Sequence, residues 1–487
     1  MMHHHIGWIQ AASHKACASM QYFFKQQSLR RFLCAVNASS TAASANYKYK
    51  LTTRQLQQRH LIVFGTTATT RTFSSSTTLS VLVPPELTKM NEPWSKEHKR
   101  VFRNCHYSLS NSFANPLTHK ELIELTLQRG DTELVEQFNT HSLEYTSNGG
   151  SIDLREEIAS LYDNPNITSE NILVFPGAQV ALQTAAIAVA NDCHSITFTP
   201  GYQSTVETPL QARNAHVTQL PRRFENGWQI DLQQVKDAIR PDTKYILLNE
   251  PYNPAGTIMS RDVQLQLVEL AKQHDIILFC DEVYRLLEHN PTTDRLPAIC
   301  DLYSKGISCV TIAKPWGGCG ITIGWLAVQD MDIKQRIVDV QYFGTACPSR
   351  ASELQAIMTL RASSIILEKN MTIIRHNLKL LETFIQRYSH FFDWIKPKAG
   401  AIAFLKFKGP LTSSELGVEM ATKAGISMKP AYCFTNVVTD DNDYFRVGYG
   451  EEIMPKALDA FERFVKQNEQ HWLSRMKEEQ EEETKNK

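Results

Sequence analysis

The sequence predicts an α/β protein, with a large domain built on a mostly parallel sheet carrying helices on both faces and a smaller α/β domain at the C-terminal end. Three observations predict it. Between about residues 165 and 345, short apolar β-branched runs alternate with helix-forming segments, as in sheets whose strands are buried on both faces and joined by crossover helices. Beyond about 350 the alternation gives way to long helical stretches and isolated strands. The unusual polar residues of the first region collect just after its strand runs, where ligands bind in open parallel sheets.

Residues 1–85 are unlike the rest. They hold nine of the chain's 51 Lys and Arg and none of its 51 Asp and Glu, the first acid being Glu86. The remainder is therefore net acidic, although the whole chain is formally neutral. This leader is rich in Ser, Thr, Ala and Gln, the composition of an organelle transit peptide. An inside-negative potential draws such a segment across a membrane. The stretch Arg71-Thr72-Phe73-Ser74-Ser75 resembles a mitochondrial processing site. It sets the expected mature start near Ser74 and the expected compartment as the mitochondrial matrix, with a plastid as the alternative. His3, His4 and His5 are too few for a dependable metal tag. Residues 86–164 are expected to form an N-terminal arm and a segment of the smaller domain.

The large domain is expected over 165–345. NILVF (171–175) is a strand-like run, and ALQTAAIAVA shortly after it is a strong helix former. SITFT (195–199), YILLN (245–249), IILFC (276–280), SCVTI (308–312) and WLAVQ (325–329) are further buried-strand candidates. RDVQLQLVELAKQHD (261–275) is an amphipathic helix between two of them. The smaller domain is expected over 346–475. Helical stretches over 351–390 precede the strand AIAFLKFK (401–408), the helix GVEMATKAG, the short strand YFRVGYG (444–450) and an amphipathic helix over about 454–475. Residues 476–487 read as a charged, solvated tail.

Formal neutrality points to neither nucleic acid nor an anionic membrane as a partner. No uninterrupted apolar run is long enough to span a bilayer. The ten cysteines form no C-x-x-C pair, and no His/Cys cluster has zinc spacing, so no metal is expected. Several cysteines lie in apolar runs, as Cys280 does, and read as reduced and buried.

The polar residues carry the chemistry. Pro176-Gly177-Ala178-Gln179 follows the first strand run and Pro200-Gly201-Tyr202 the second. NEPYNPAGT (249–257) begins at the end of the third, Asp281-Glu282-Val283-Tyr284-Arg285 follows the fourth, and Lys314 sits just past the fifth. NEPYNPAGT, then FCDEVYR, then a lysine followed by a Gly-rich stretch ending GW, then YFRVGYG, resembles the class I/II aminotransferases. These are fold type I enzymes dependent on pyridoxal 5′-phosphate (PLP). The resemblance spans roughly residues 100–470. It implies a PLP cofactor and a reaction that moves the amino group of an α-amino acid to a 2-oxo acid.

In such enzymes the cofactor supplies an electron sink, and the protein supplies positioning and electrostatics. The resemblance implies that Lys314 forms the internal Schiff base and, once displaced by substrate, carries the proton between Cα and C4′. It implies that Asp281 pairs with the pyridine nitrogen and keeps it protonated. Tyr284 and Asn253 are implied to hydrogen-bond the ring's 3′-oxygen, and Tyr202 to stack on the ring. Gly177, Ala178 and Gln179 are implied to open a helix whose N–H groups aim at the phosphate, and Thr311 matches the family's phosphate-binding hydroxyl. Tyr145, in EYTSNGG, matches a tyrosine that reaches the phosphate of the partner subunit, so the expected active unit is a homodimer. Arg446 matches the arginine that grips the substrate α-carboxylate with a two-pronged fork. Local rules alone also allow Asp281 as a helix cap, Tyr284 as a core tyrosine and Arg446 as a salt-bridge partner. Tyr107, Asn111, Tyr432 and Trp316 lie near the motifs and are candidates for the side-chain pocket.

The sequence departs from the family pattern at the phosphate end. Eight residues after the lysine, where the family usually places an arginine, stands Thr322, and Ala313 replaces the usual serine before the lysine. A fixed positive charge has become a hydroxyl, so the phosphate loses its main counter-charge. Either PLP is held less tightly than is typical, or the chain has diverged toward lyase, cyclase or oxidase chemistry on an amino acid. The segment YSLSNSFANPLTHKEL (107–122) loosely resembles an amino-acid-modifying branch that includes capreomycidine synthase, which keeps the second reading open. The Gly-rich run 317–324 does not fit a dinucleotide fingerprint, because it follows a lysine instead of opening a βαβ unit.

Overall fold

A computed structural model describes residues 86–87, 93–94, 96–345, 347–435 and 444–486. The expected transit peptide and its processing site lie outside the described residues. In chain order the strands are β1 (Glu86–Leu87), β2 (Tyr107–Ser108), β3 (Ile172–Phe175), β4 (His194–Thr199), β5 (His216–Pro221), β6 (Thr243–Asn249) and β7 (Ile277–Asp281). They continue with β8 (Gly306–Thr311), β9 (Gly324–Val328), β10 (Phe392–Trp394), β11 (Ile402–Phe407), β12 (Ile426–Ser427), β13 (Lys429–Pro430) and β14 (Tyr444–Gly448). Eight of them form one sheet in the order β1-β5-β4-β6-β7-β8-β9-β3. Its centre, from β5 to β8, is parallel, and β1, β9 and β3 join antiparallel. The expected mostly parallel α/β sheet is the observed one.

Period-2 alternation sorts the strand residues into two cores. Tyr245 and Leu247 of β6, Ile277 and Phe279 of β7, and Ile307 and Cys309 of β8 point to one face. There they meet the helices Ala178–Val189 and Met331–Gly344. Ile246 and Leu248 of β6 and Leu278 and Cys280 of β7 point to the other face, against the helix Arg261–Gln273. That helix starts where the Ser260 side chain accepts from the Val263 N–H, a standard way to satisfy an orphan donor. With both faces covered, these strands read as continuous apolar runs and are legible in the sequence. β5 (HVTQLP) is buried but polar in sequence, so it is absent from the predicted strands.

A second sheet, β10-β11-β14-β13, is wholly antiparallel. The helices Ser363–Arg387 and Met454–Asn486 pack on it through Leu381, Phe384, Phe461 and Trp472 against Phe392, Phe407 and Phe445. β2 and β12 form a short parallel pair beside it. The expected boundaries differ from this packing in two places. The helices His119–Gln128, Thr132–Thr140 and Ile152–Ala159, together with Arg350–Arg361, share one core with Val174, Val310 and Trp325 of the large sheet. Their buried stripe (Leu122, Leu134, Leu154, Ile158, Leu354, Ile357) packs into that core. The last helix also runs on to Asn486 where a tail was expected. Its end is made of good helix formers with an i,i+4 pair between Arg475 and Glu479 at 3.3 Å.

Among the described residues all eight cysteines are unpaired. No helix among them is long and apolar enough to cross a membrane.

Candidate active site

The parallel strands end on a shared rim, and the polar residues singled out above lie just beyond it. Asp281 is the last residue of β7 and sits opposite Asn249, the last of β6. The Asn249 amide donates to the Asp281 carbonyl at 2.8 Å. Asn249 Oδ1 in turn accepts from the Asn253 N–H at 2.7 Å, which folds the following turn back over the strand end. Gly256 closes that turn at φ 68° against the carbonyls of Ile402 and Ala399, where a Cβ would lie within 2.9 Å of both. Asn253 Oδ1 accepts from Arg446 Nη1 at 2.9 Å, and Arg446 Nη2 donates to the Ser110 carbonyl at 2.6 Å. Arg446 is thus delivered by the small sheet to residues held by the large one.

Lys314 lies in the turns after β8. Its loop is anchored by Trp316, which is fully buried and donates to Ser363 Oγ at 2.7 Å. Asn370 donates to the Pro315 carbonyl at 2.9 Å. Lys314 Nζ donates to Ser112 Oγ at 3.0 Å. Burial brings the Lys314 amine down to about 8, with the Arg446 charge adding to the effect. Burial pushes the Asp281 carboxyl up to about 7, opposed by the Val283 N–H and the charge of Lys314. Burial pushes the Tyr284 phenol up to about 12, opposed by Arg446 and by a hydrogen bond from Ser112. A lysine brought toward neutrality beside a buried carboxylate and a guanidinium is the signature of a reactive amine.

Residues 115–461 match the family described as aminotransferase class I and II. The chain belongs to this family. An aspartate aminotransferase of Sulfolobus acidocaldarius is 24% identical over 335 residues, covering 67% of this chain and 80% of the relative. A capreomycidine synthase of Streptomyces vinaceus is 23% identical over 254 residues, covering 52% of this chain and 63% of the relative. A PLP-dependent aminotransferase structure from Streptococcus suis superposes with a TM-score of 0.71 at 25% identity, covering 78% of this chain and 98% of that one. The protein is a PLP-dependent aminotransferase, transferring an amino group between an amino acid and a 2-oxo acid.

The residues of this aminotransferase fit the cofactor at its ring end. Asp281 is 6% exposed, and its Oδ1 has no hydrogen-bond partner within the chain. A buried orphan carboxylate oxygen is costly unless a donor meets it, and a pyridine N–H is such a donor. Arg446 Nε is likewise buried and unpartnered, leaving part of the guanidinium for a carboxylate. Tyr202 is half-buried and donates to Gln179 Oε1 at 3.1 Å, which ties it to the first turn of the helix Ala178–Val189.

The phosphate end is sparer. Gly177 precedes that helix at φ 96°, and Gly324 of β9 lies so close that its Cβ would be 2.4 Å from the Ala178 nitrogen. Thr311 Oγ1 donates to the Ile323 carbonyl at 2.9 Å. Thr322 is exposed, sits in the left-handed region at φ 60°, and donates to the Gly320 carbonyl at 3.1 Å. Both hydroxyl protons are therefore engaged by backbone, and none of Gly177, Ala178, Gln179, Thr311 and Thr322 bears a charge.

Other candidates fall elsewhere. Tyr145 is 93% exposed on its own chain. Trp316 is a core residue under the lysine loop, not part of a substrate pocket. Tyr107 packs against the small-sheet core and Tyr432 against the cluster around Trp228 and Phe404. Asn111 donates to Glu451 at 2.7 Å. Ser112 is not among the predicted residues, because the likeness of its segment points to no single side chain and its contact with Lys314 spans 202 residues of sequence. Among the described residues no cluster could hold a metal ion.

Proposed function

We propose that Lys314 carries the cofactor and moves the substrate Cα proton, that Asp281, Tyr284 and Asn253 hold the cofactor ring, and that Arg446 holds the substrate α-carboxylate. The observation behind this reading is the convergence of Lys314, Asp281, Tyr284 and Arg446 at one rim, with the Asp281 and Arg446 atoms named above left unpartnered. When bound, PLP supplies an electron sink. Arg446, braced by Asn253 and Ser110, offers a rigid fork to a carboxylate. Lys314, near neutrality, takes a proton at Nζ and returns it. Asp281, once it faces a cationic ring N–H, ionises and holds that proton in place. The Tyr284 phenol stays protonated at neutral pH and donates to the ring oxygen. Tyr202 covers the ring, and the helix N-terminus at Gly177, Ala178 and Gln179, with Thr311 and Thr322, faces the phosphate.

The test is a spectral titration of the PLP-loaded protein with a panel of amino acids and no 2-oxo acid. Loss of the visible band of the lysine-held cofactor, and its return on adding a 2-oxo acid, establishes transamination and names the donor. A persisting band with release of ammonia or a cyclised product favours the lyase or cyclase reading, toward which the capreomycidine synthase likeness leans.

We further propose a homodimer in which Tyr145 serves the partner's phosphate site. The exposed Leu143, Tyr145, Tyr342 and Phe343 support it, since large exposed apolar groups mark interaction surfaces. Mixing Lys314→Ala with Tyr145→Phe subunits should restore activity in the hybrids, each of which retains one intact site. The acid-free leader supports import into the mitochondrial matrix, or alternatively a plastid; a tagged full chain followed in fractionated cells decides between them.

A further inference from the structure

We propose that Ser112 is a positioning residue for Lys314, its hydroxyl taking one N–H of the lysine amine so that the lysine lone pair stays open toward substrate. This rests on the assignment of Lys314 above.

The geometry starts with the backbone. The segment from Leu109 to Asn115 threads between the small sheet and the lysine loop. Gly448 N–H donates to the Leu109 carbonyl at 2.7 Å, and Ala114 N–H donates to the Lys314 carbonyl at 3.0 Å. Three glycines make the passage: a Cβ on Gly448 would lie 1.9 Å from Asn111 O, one on Gly450 2.1 Å from Phe113 O, and one on Gly317 2.2 Å from Asn115 O. Arg446 holds the Ser110 carbonyl. Ser112 is therefore fixed from both sides, and its hydroxyl stands within 3.0 Å of Lys314 Nζ.

The proton count gives the direction. A serine hydroxyl has one proton and two lone pairs; a neutral amine has two N–H groups and one lone pair. In this contact Lys314 Nζ is the donor and the serine oxygen the acceptor. The contact pins an N–H and leaves the lone pair free. When Nζ takes the Cα proton it becomes an ammonium and the same contact persists. The base thus changes charge without having to find a new partner, which is the advantage of a preorganised site.

The test compares Ser112→Ala and Ser112→Thr in the PLP-loaded enzyme. Ser112→Ala should lower kcat on the order of tenfold to a hundredfold, leave KM for the amino donor within about twofold, and enlarge the isotope effect of a Cα-deuterated donor. Ser112→Thr should restore most of kcat. A readout independent of turnover is the pH dependence of PLP capture by the apoprotein, which needs a neutral amine. Removing an acceptor of the ammonium should move its midpoint to lower pH by about half a unit. Unchanged kcat and capture midpoint in Ser112→Ala overturn the proposal. Loss of activity that threonine does not restore also overturns it, since that is a folding role. Retention of the visible band by Lys314→Ala would instead overturn the assignment of the lysine itself.

Discussion

The ring end and the phosphate end of this site are built from opposite materials. At the ring end the side chains are buried, charged or strongly polar, and left with unmet hydrogen-bonding capacity at Asp281 Oδ1 and Arg446 Nε. At the phosphate end the groups are glycine, alanine, glutamine and two threonines whose hydroxyls already serve backbone carbonyls. The ring end is costly to maintain empty and gains when filled. The residues proposed for the phosphate end leave no hydroxyl proton unmet, and offer a dianion mainly backbone N–H groups. On the proposed assignment, chemistry and anchoring are separable in this enzyme.

The largest break in that comparison is at the ring end. Lys314→Ala should reduce kcat on the order of ten-thousandfold and abolish the visible band of bound PLP, which steady-state assay and absorbance would register. Next comes Arg446→Lys. A point charge replaces a fork braced by Asn253 and Ser110, and kcat/KM should fall on the order of a hundredfold, mostly through KM for the amino acid. Thr322→Arg sharpens the contrast from the other end. It restores a counter-charge, and the dissociation constant of PLP, followed by fluorescence quenching, should fall about tenfold. An unchanged constant would mean that the phosphate is already neutralised by other groups.

The smallest effect lies in the apoprotein. Burial pushes the Asp281 carboxyl from the ordinary aspartate value of 3.8 up to about 7. Between those values the folded form holds a proton that the unfolded chain has lost, so stability falls as pH rises through that window. Asp281→Asn should flatten part of this slope in urea midpoints measured at pH 5 and 7.5. Glu282, also brought up to about 7 by burial, should leave a residual slope.

The legible parts of the molecule were those governed by local rules. Central strands buried on both faces announce themselves as apolar runs, and motifs at strand ends follow from sheet geometry. β5 escaped because Thr218 and Gln219 are buried polar residues, in a register set by β4. The packing of Arg350–Arg361 with the large sheet escaped because an apolar stripe does not say which core it will join. Trp316 was placed near substrate by proximity in sequence, whereas the loop turns it inward beneath Lys314. Ser112 escaped because its role depends on glycines at 448 and 450, more than three hundred residues away.

Those glycines have a consequence for the maturing protein. Asp281 ends β7 and Lys314 follows the neighbouring β8, so both can find their places as soon as the large sheet forms. Arg446 cannot, because it belongs to β14, which also clasps the threaded segment that carries Ser112. A chain cleaved or stalled before Tyr444 would present the lysine without Arg446. Productive cofactor capture therefore acts as a seal on the finished molecule, set only after the first and last parts of the described fold have met.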